Sequence, residues 1–309
     1  VQWSQIKTLF ILCFLVLDVY LLFLFIDKQK EADIGVIERQ TAPIEQTLES
    51  ENITIKELPE VPEDESFLSV KQKEFDEDDK KLLNQLTKQE VMIVDDNFII
   101  AGLDKPVKIP DNITNDGLKE LLKNIVLYPD EYEVWDTNEE YNAIVLFQRK
   151  NDRPVYFNRN GMLMLFLNEK NEIAFYTQTM LGEAEEHDQE DKKSLIKPIR
   201  AVETLYQSNQ LNAGEEVTKI KIGYHTRIPL PDGVQVFVPT WKVTVNGERN
   251  YFVNAIEGFV FSSEDDKFVY DTIDKYLDRI FPLIQDDEAK KNLWNQLKNK
   301  LDTLNRGEE

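Results

Sequence analysis

An aspartate stands in the middle of the most apolar stretch of this chain. Asp18 follows Leu9-Phe10-Ile11-Leu12-Cys13-Phe14-Leu15-Val16-Leu17 and precedes Val19-Tyr20-Leu21-Leu22-Phe23-Leu24-Phe25-Ile26. Two chemistries are open to a carboxyl group there. It can be protonated and tolerated, with Tyr20 in reach to share the proton. Or it can hydrogen-bond a polar group on another helix, since acids inside lipid commonly have a function. Other reactive side chains are scattered. His187 lies in Glu185-Glu186-His187-Asp188-Gln189-Glu190-Asp191, an acidic run without the spacing or turn glycine of an EF-hand. It reads as a solvated loop. His225 alternates with Gly223 and Arg227 as an ordinary sheet residue does. There is no Gly-x-Ser-x-Gly elbow, no phosphate-binding loop and no dinucleotide fingerprint. With 58 acids in the chain, carboxylate pairs are inevitable and uninformative. The expectation is a protein that is not an enzyme, with no catalytic, metal or cofactor-binding residues and no cofactor.

Asp18 must be positioned by a helix. The segment 9–26, at 1.5 Å per residue, spans about 27 Å, close to the hydrocarbon thickness of a bilayer. Fifteen of its eighteen residues are Leu, Ile, Phe or Val. At roughly −0.3 to −0.6 kcal/mol each they outweigh the roughly 2.5–3.5 kcal/mol cost of a central acid. The run is longer than a signal-peptide core, and Asp27-Lys28-Gln29-Lys30-Glu31 offers no small-residue cleavage site. An uncleaved anchor is expected. Basic flanks leave its orientation open: Lys7 precedes it, and Lys28, Lys30 and Arg39 follow.

The 309 residues carry 58 acidic and 36 basic side chains, a net charge of −22. Such a surface lacks the basic footprint that nucleic acids require. Cys13, the only cysteine, lies in the apolar run, so disulfides and cysteine ligands are excluded from the rest.

Beyond the anchor, residues 28–62 read as an acidic stalk with Pro43, Pro59 and Pro62, extended or disordered by default. Phe75, Leu82, Leu83 and Leu86 fit a short helix led by the Asp76–Asp79 acids. Val91–Val94 and Phe98–Ala101 fit a strand pair turning at Asp95-Asp96-Asn97. A helix from Asn115 or Asp116 then precedes period-two runs at Tyr132–Trp135, Tyr141–Phe147, Met162–Leu167 and Ile173–Thr179. Short connections between them predict antiparallel meanders. The polar stretch Glu183–Lys193 reads as an interdomain or surface loop. A helix over Pro198–Asn209 follows, with Pro198 near its first turn, then strands at Val217–Ile228, Val234–Val245 and Tyr251–Phe261.

One helix followed by three or four strands thus occurs twice, near 115–180 and 196–261. The fold class expected is α+β, with one N-terminal transmembrane helix and two helix-on-antiparallel-sheet domains. The divisions are a tail over 1–8, the membrane helix over 9–27, the stalk over 28–62, domains over 63–190 and 191–285, and a helical tail over 286–309. Phe268, Ile273, Tyr276, Leu277 and Ile280 fit a helix stopped by Pro282, and another begins at Asp286 or Asp287.

Two segments carry a family resemblance. Trp3-Ser4-Gln5-Ile6-Lys7, just before an apolar helix with a central acid, resembles the amino terminus of the YycI (WalI) family, accessory to the YycG/YycF (WalK/WalR) two-component system. Pro239-Thr240-Trp241-Lys242-Val243-Thr244-Val245 and Tyr251-Phe252-Val253-Asn254-Ala255-Ile256-Glu257-Gly258 are similar to the closing hairpins of YycI and YycH domains and to the PepSY pattern. The resemblance implies a cytoplasmic N-terminus, a bulk outside the cell membrane, and contacts with the sensor kinase YycG and with YycH. On that reading Trp3, Lys7, Asp18 and Tyr20 face partners in and beside the membrane. Trp241, Tyr251, Asn254 and Gly258 form the structural signature. A wall-associated enzyme or protease inhibitor and a peptidoglycan-binding scaffold remain the competing classes. The tail after Asp286 is longer than the family leads one to expect.

Overall fold

The computed structural model describes residues 3–33, 44–61, 65–86, 88–138, 142–185, 192–229, 233–261 and 265–280, with the single positions 291, 295, 298 and 299. His187 and nearly all of the 286–309 tail lie outside these residues. The chain divides into two compact units, Val1–Glu51 and Asn52–Glu309. The first holds α1 (Trp3–Asp33) and α2 (Ile44–Ser50). Two helical segments thus enter the stretch expected to be an extended stalk: α1 runs on to Asp33, and α2 follows, with Glu45 in its first turn where the helix dipole favours an acid.

The second unit contains, in chain order, β1 (Thr54–Ile55), β2 (Leu68–Gln72), α3 (Glu77–Leu83), β3 (Gln89–Val94), β4 (Phe98–Lys108), α4 (Asn115–Leu122), β5 (Tyr132–Asn138), β6 (Ala143–Lys150), β7 (Arg153–Tyr156), β8 (Met162–Leu167), β9 (Glu172–Gln178), β10 (Leu181–Glu185), α5 (Pro198–Gln207), β11 (Glu216–Pro229), β12 (Val234–Val245), β13 (Arg249–Asn254), β14 (Val260–Phe261) and α6 (Asp265–Ile280). Local chemistry explains many boundaries. Asp76 caps α3 by accepting from the N–H groups of Asp78 and Asp79, and the Asp79 side chain bonds back to the Asp76 N–H, a capping box. Thr114 caps α4, and Pro198 opens α5. Asp95 and Asp96 take positive φ in the β3–β4 turn, a conformation Asp tolerates better than most residues.

The strands follow the order β10-β2-β12-β11-β7-β6-β8-β9-β4-β3. Among the described residues all pairings are antiparallel except two. β7 lies parallel to β11, with Tyr224 opposite Val155 and His225 opposite Tyr156, and β1 lies parallel to β11 at Glu216–Val217. The sheet is therefore mixed, not a pair of pure meanders. β7 is the joint: on its other side it forms a hairpin with β6.

The expected boundary at 190/191 does not separate two bodies. β2 and β10, at the two ends of the 63–190 segment, pair with each other, and β2 pairs on with β12 of the 191–285 segment. α6 crosses the other way. Tyr276 packs on Phe98 of β4 with ring centroids 4.4 Å apart, and its hydroxyl donates to the Arg159 carbonyl at 3.2 Å. Arg279 donates to the carbonyl of Val94 and to the side chains of Asp95 and Asn97. Strand pairing and a crossing helix thus tie both segments into one unit.

The β3–β9 half of the sheet is buried on both faces, which is why its strands read as nearly continuous apolar runs. Ile99, Ala101, Ile144, Leu146, Leu163 and Leu165 face a core with Leu83 of α3 and Leu118 and Leu122 of α4. Their neighbours Phe98, Ile100, Val145, Phe147, Met164 and Phe166 face the opposite core with Ile273, Tyr276 and Ile280 of α6 and Phe252 of β13. α5 lies against β12 and β13.

Candidate functional site

Two places qualify. The first is α1, 31 residues and so about 46 Å long. Over 10–24, where its side chains are described, every one is exposed. Such a helix is apolar all round, a pattern that belongs in a core or in lipid. Asp18 and Tyr20 sit on it, also exposed. Lys7 places its ammonium 5.6 Å from the Trp3 ring centroid. Among the described residues no helix is long and apolar enough to cross a membrane. The described side chains stop short of Leu9 and of Phe25-Ile26, which extend the apolar run in the sequence.

The residues expected as a signature near the chain's end lie on β12, on β13 and in the turn after it. Trp241 is fully buried, and its indole N–H donates to the Ile196 carbonyl at 3.0 Å. Ile196 in turn donates its N–H to the Ala255 carbonyl, and Ala255 donates to Pro239. Asn254, also fully buried, accepts from the N–H groups of Ile256 and Glu257 at 2.8 Å each. Gly258 takes φ +74° to close that turn and accepts a bond from Thr204 of α5. Gly258 thus ties the closing turn to α5, Asn254 shapes that turn, and Trp241 holds Ile196 just before α5. Tyr251 stands apart, half-buried, its hydroxyl accepting from Arg249 at 2.9 Å.

The second place is a cleft of about 200 Å³ beside the β7 joint. β5 supplies Glu133, Val134 and Trp135; β7 supplies Pro154 and Tyr156; β11 and β12 supply Lys219, Lys221, Lys242 and Thr244. A register shift between Val134 and Asp136 marks a bulge at Trp135, a device that re-aims a side chain. The Trp135 ring meets Phe147, Tyr156, Phe157 and Phe252 at centroid distances of 5.4–5.7 Å. The Lys242 ammonium sits 4.0 Å from its centroid, within cation–π range. Lys221 pairs with Glu133 at 3.2 Å. Burial, then the nearby Glu133 charge, raises the Tyr156 hydroxyl well above its ordinary pKa, so it stays protonated. Gly223 lets β11 approach β7: a Cβ there would lie 2.8 Å from the Pro154 carbonyl and inside the Tyr156 ring.

None of these cleft residues was singled out as a site from the sequence. The alternation Lys219-x-Lys221 on a strand was visible, but the approach of β5 was not. His225 lies near the same joint, stacked on Phe261 at 4.1 Å, and burial lowers its pKa. Among the described residues no group of three His, Cys, Asp or Glu is placed to hold a metal ion.

Comparison with known proteins adds three findings. A family model described as YycI protein matches residues 32–256, well over half of the chain. No curated protein matches significantly. A 1.45 Å crystal structure of an uncharacterized protein from Eubacterium rectale ATCC 33656 aligns with 12% identity, covering 72% of this chain and 99% of its own, with a TM-score of 0.39. The resemblance first read from Trp3–Lys7 and from the Trp241–Gly258 hairpins therefore meets a family match that spans most of the second unit. The chain belongs to the YycI family, which is associated with the YycG/YycF two-component system.

Proposed function

We propose that this protein is a membrane-anchored, non-catalytic regulator that acts on the sensor kinase YycG together with YycH, and through them on cell-wall metabolism. Family membership supports the link to the two-component system. The observation that carries the anchored reading is α1, a helix apolar on every side, exposed along 10–24 and interrupted by one acid. Only lipid or other helices satisfy such a surface. In this reading the N-terminus is cytoplasmic and the unit from Asn52 onward lies outside the cell.

The mechanism follows from that placement. Asp18 donates or accepts one hydrogen bond to a kinase helix, a contact in lipid worth about 0.6–2 kcal/mol. The outer unit binds YycH and fixes the height and rotation of α1. A shift of α1 then biases the kinase in proportion to its different contacts with the two kinase states. Asp18→Leu is expected to reduce co-purification of the kinase from membranes several-fold while the outer unit keeps its native circular dichroism. Undiminished co-purification of that variant, or labelling that puts the C-terminal unit in the cytosol, would defeat this reading.

A further inference from the structure

We infer that the cleft between β5 and β11–β12 is a docking site for an acidic, extended segment of another protein. The inference stands on the cleft and does not depend on the anchor or on the kinase. Its walls run against the character of the chain. The whole molecule carries a charge of −22, yet the lining presents three lysines against the single carboxylate of Glu133. Two of them oppose each other directly, since Lys221 and Lys242 are cross-strand partners in the β11–β12 register. Like charges in that position cost stability unless something offsets them. Glu133 offsets Lys221 and the Trp135 ring seats Lys242. Lys219, one pair further along the same face, is exposed and makes no ion pair among the described residues.

At physiological ionic strength, charges more than about 8 Å apart are largely screened. The distant acids of the chain therefore repel an acidic segment weakly, while the lysines act on it at contact range. Size selects the kind of ligand. About 200 Å³ is below the roughly 300–1,000 Å³ of small-molecule sites, so the cleft takes one or two side chains and not a whole metabolite. Both walls also come from strands that, among the described residues, have one open edge. There β5 pairs with β6 alone, and residues 218–223 of β11 pair with β12 alone, between the contacts with β1 and β7. An extended segment laid there alternates its side chains, presenting a carboxylate to Lys219 and Lys221 and an apolar group to the Trp135 ring edge.

The test uses the full chain in detergent micelles and fluorescein-labelled seven-residue peptide pools in which Glu alternates with randomised apolar residues. Matched pools carry Gln or Lys in place of Glu. Anisotropy is expected to show the Glu pool binding at least about tenfold tighter than the Gln pool, with the Lys pool weakest. The double variant Lys219→Glu/Lys221→Glu alters only exposed side chains, so its native circular dichroism serves as the folding control, and it should lose that preference. Lys219→Gln alone should weaken binding to an intermediate degree. Equal binding of the Glu and Gln pools, no binding of either, or an unchanged affinity in the double variant would overturn the inference. So would displacement of the Glu pool by free glutamate at a concentration matching the pool's carboxylates, which would assign the cleft to small anions instead.

Discussion

Asp79 is 2% exposed and still ionised. Burial alone would raise its pKa, but three partners outweigh that cost: the Lys73 ammonium at 2.8 Å, the Tyr128 hydroxyl at 2.6 Å and the Asp76 N–H at 3.0 Å. They hold its carboxyl below the ordinary carboxylate range. The same short bond pushes the Tyr128 hydroxyl up to about 12. One side chain thus completes the cap of α3 and ties that helix to the segment preceding β5. Because the folded pKa is depressed, the stabilisation is fully present above the unfolded value of about 4 and is lost as pH falls through the folded one. Asp79→Asn is expected to cost about 1.5–3 kcal/mol at pH 7, from the lost charge-assisted bonds. The gap between variant and wild type should shrink on acidification below pH 4, as urea denaturation at several pH values would record.

At the scale of elements, α6 is the piece whose role is least local. It follows the last strand in sequence, yet its apolar face closes a core built mainly from β3, β4, β6, β8 and β9. Tyr276 is the centre of that contact, 3% exposed, against Phe98 and bonded to Arg159. Removing its ring leaves a cavity at the centre of the face that α6 packs on the sheet, between Ile273 and Ile280. Tyr276→Ala should cost about 3–5 kcal/mol. Tyr276→Phe, which keeps the ring and loses one hydrogen bond, should cost only about 0.5–1.5 kcal/mol. Denaturant midpoints of the two variants separate packing from hydrogen bonding, and equal midpoints would contradict this account of α6.

For the molecule from Asn52 onward, the pairing of β2 with both β10 and β12, and the return of α6, make the two halves interdependent. Neither half can close its sheet or its core alone. One cooperative unfolding transition is therefore expected. Native-state hydrogen exchange should give the amides of Leu163–Leu165 and of Trp241–Val243 the same maximal protection, set by global unfolding. Two plateaus differing by more than about 2 kcal/mol would mean that the halves unfold separately.

The sequence by itself determined the local elements and the apolar character of the N-terminal run. Asp76 and Pro198 mark helix starts because capping is short-range chemistry, and the cap of α4 lies at Thr114, one residue before the Asn115 or Asp116 expected from the sequence. The period-two runs at Met162–Leu167 and Val234–Val245 mark strands because side chains alternate along any strand. The apolar run around Asp18 is legible without any partner, since fifteen of residues 9–26 are Leu, Ile, Phe or Val. The return at Asn254–Gly258 was legible for a similar reason, because a turn and its flanking strand are contiguous in the chain. β7, β2 and β10 were not anticipated as strands. They are short, and only long-range partners stabilise them. The boundary at 190/191 and the cleft at Trp135 failed or were missed on the same ground. Both depend on which strands, about 70 to 170 residues apart, lie side by side. That choice belongs to the packing of the whole sheet, where burial of both faces and the parallel joint at Gly223 decide it.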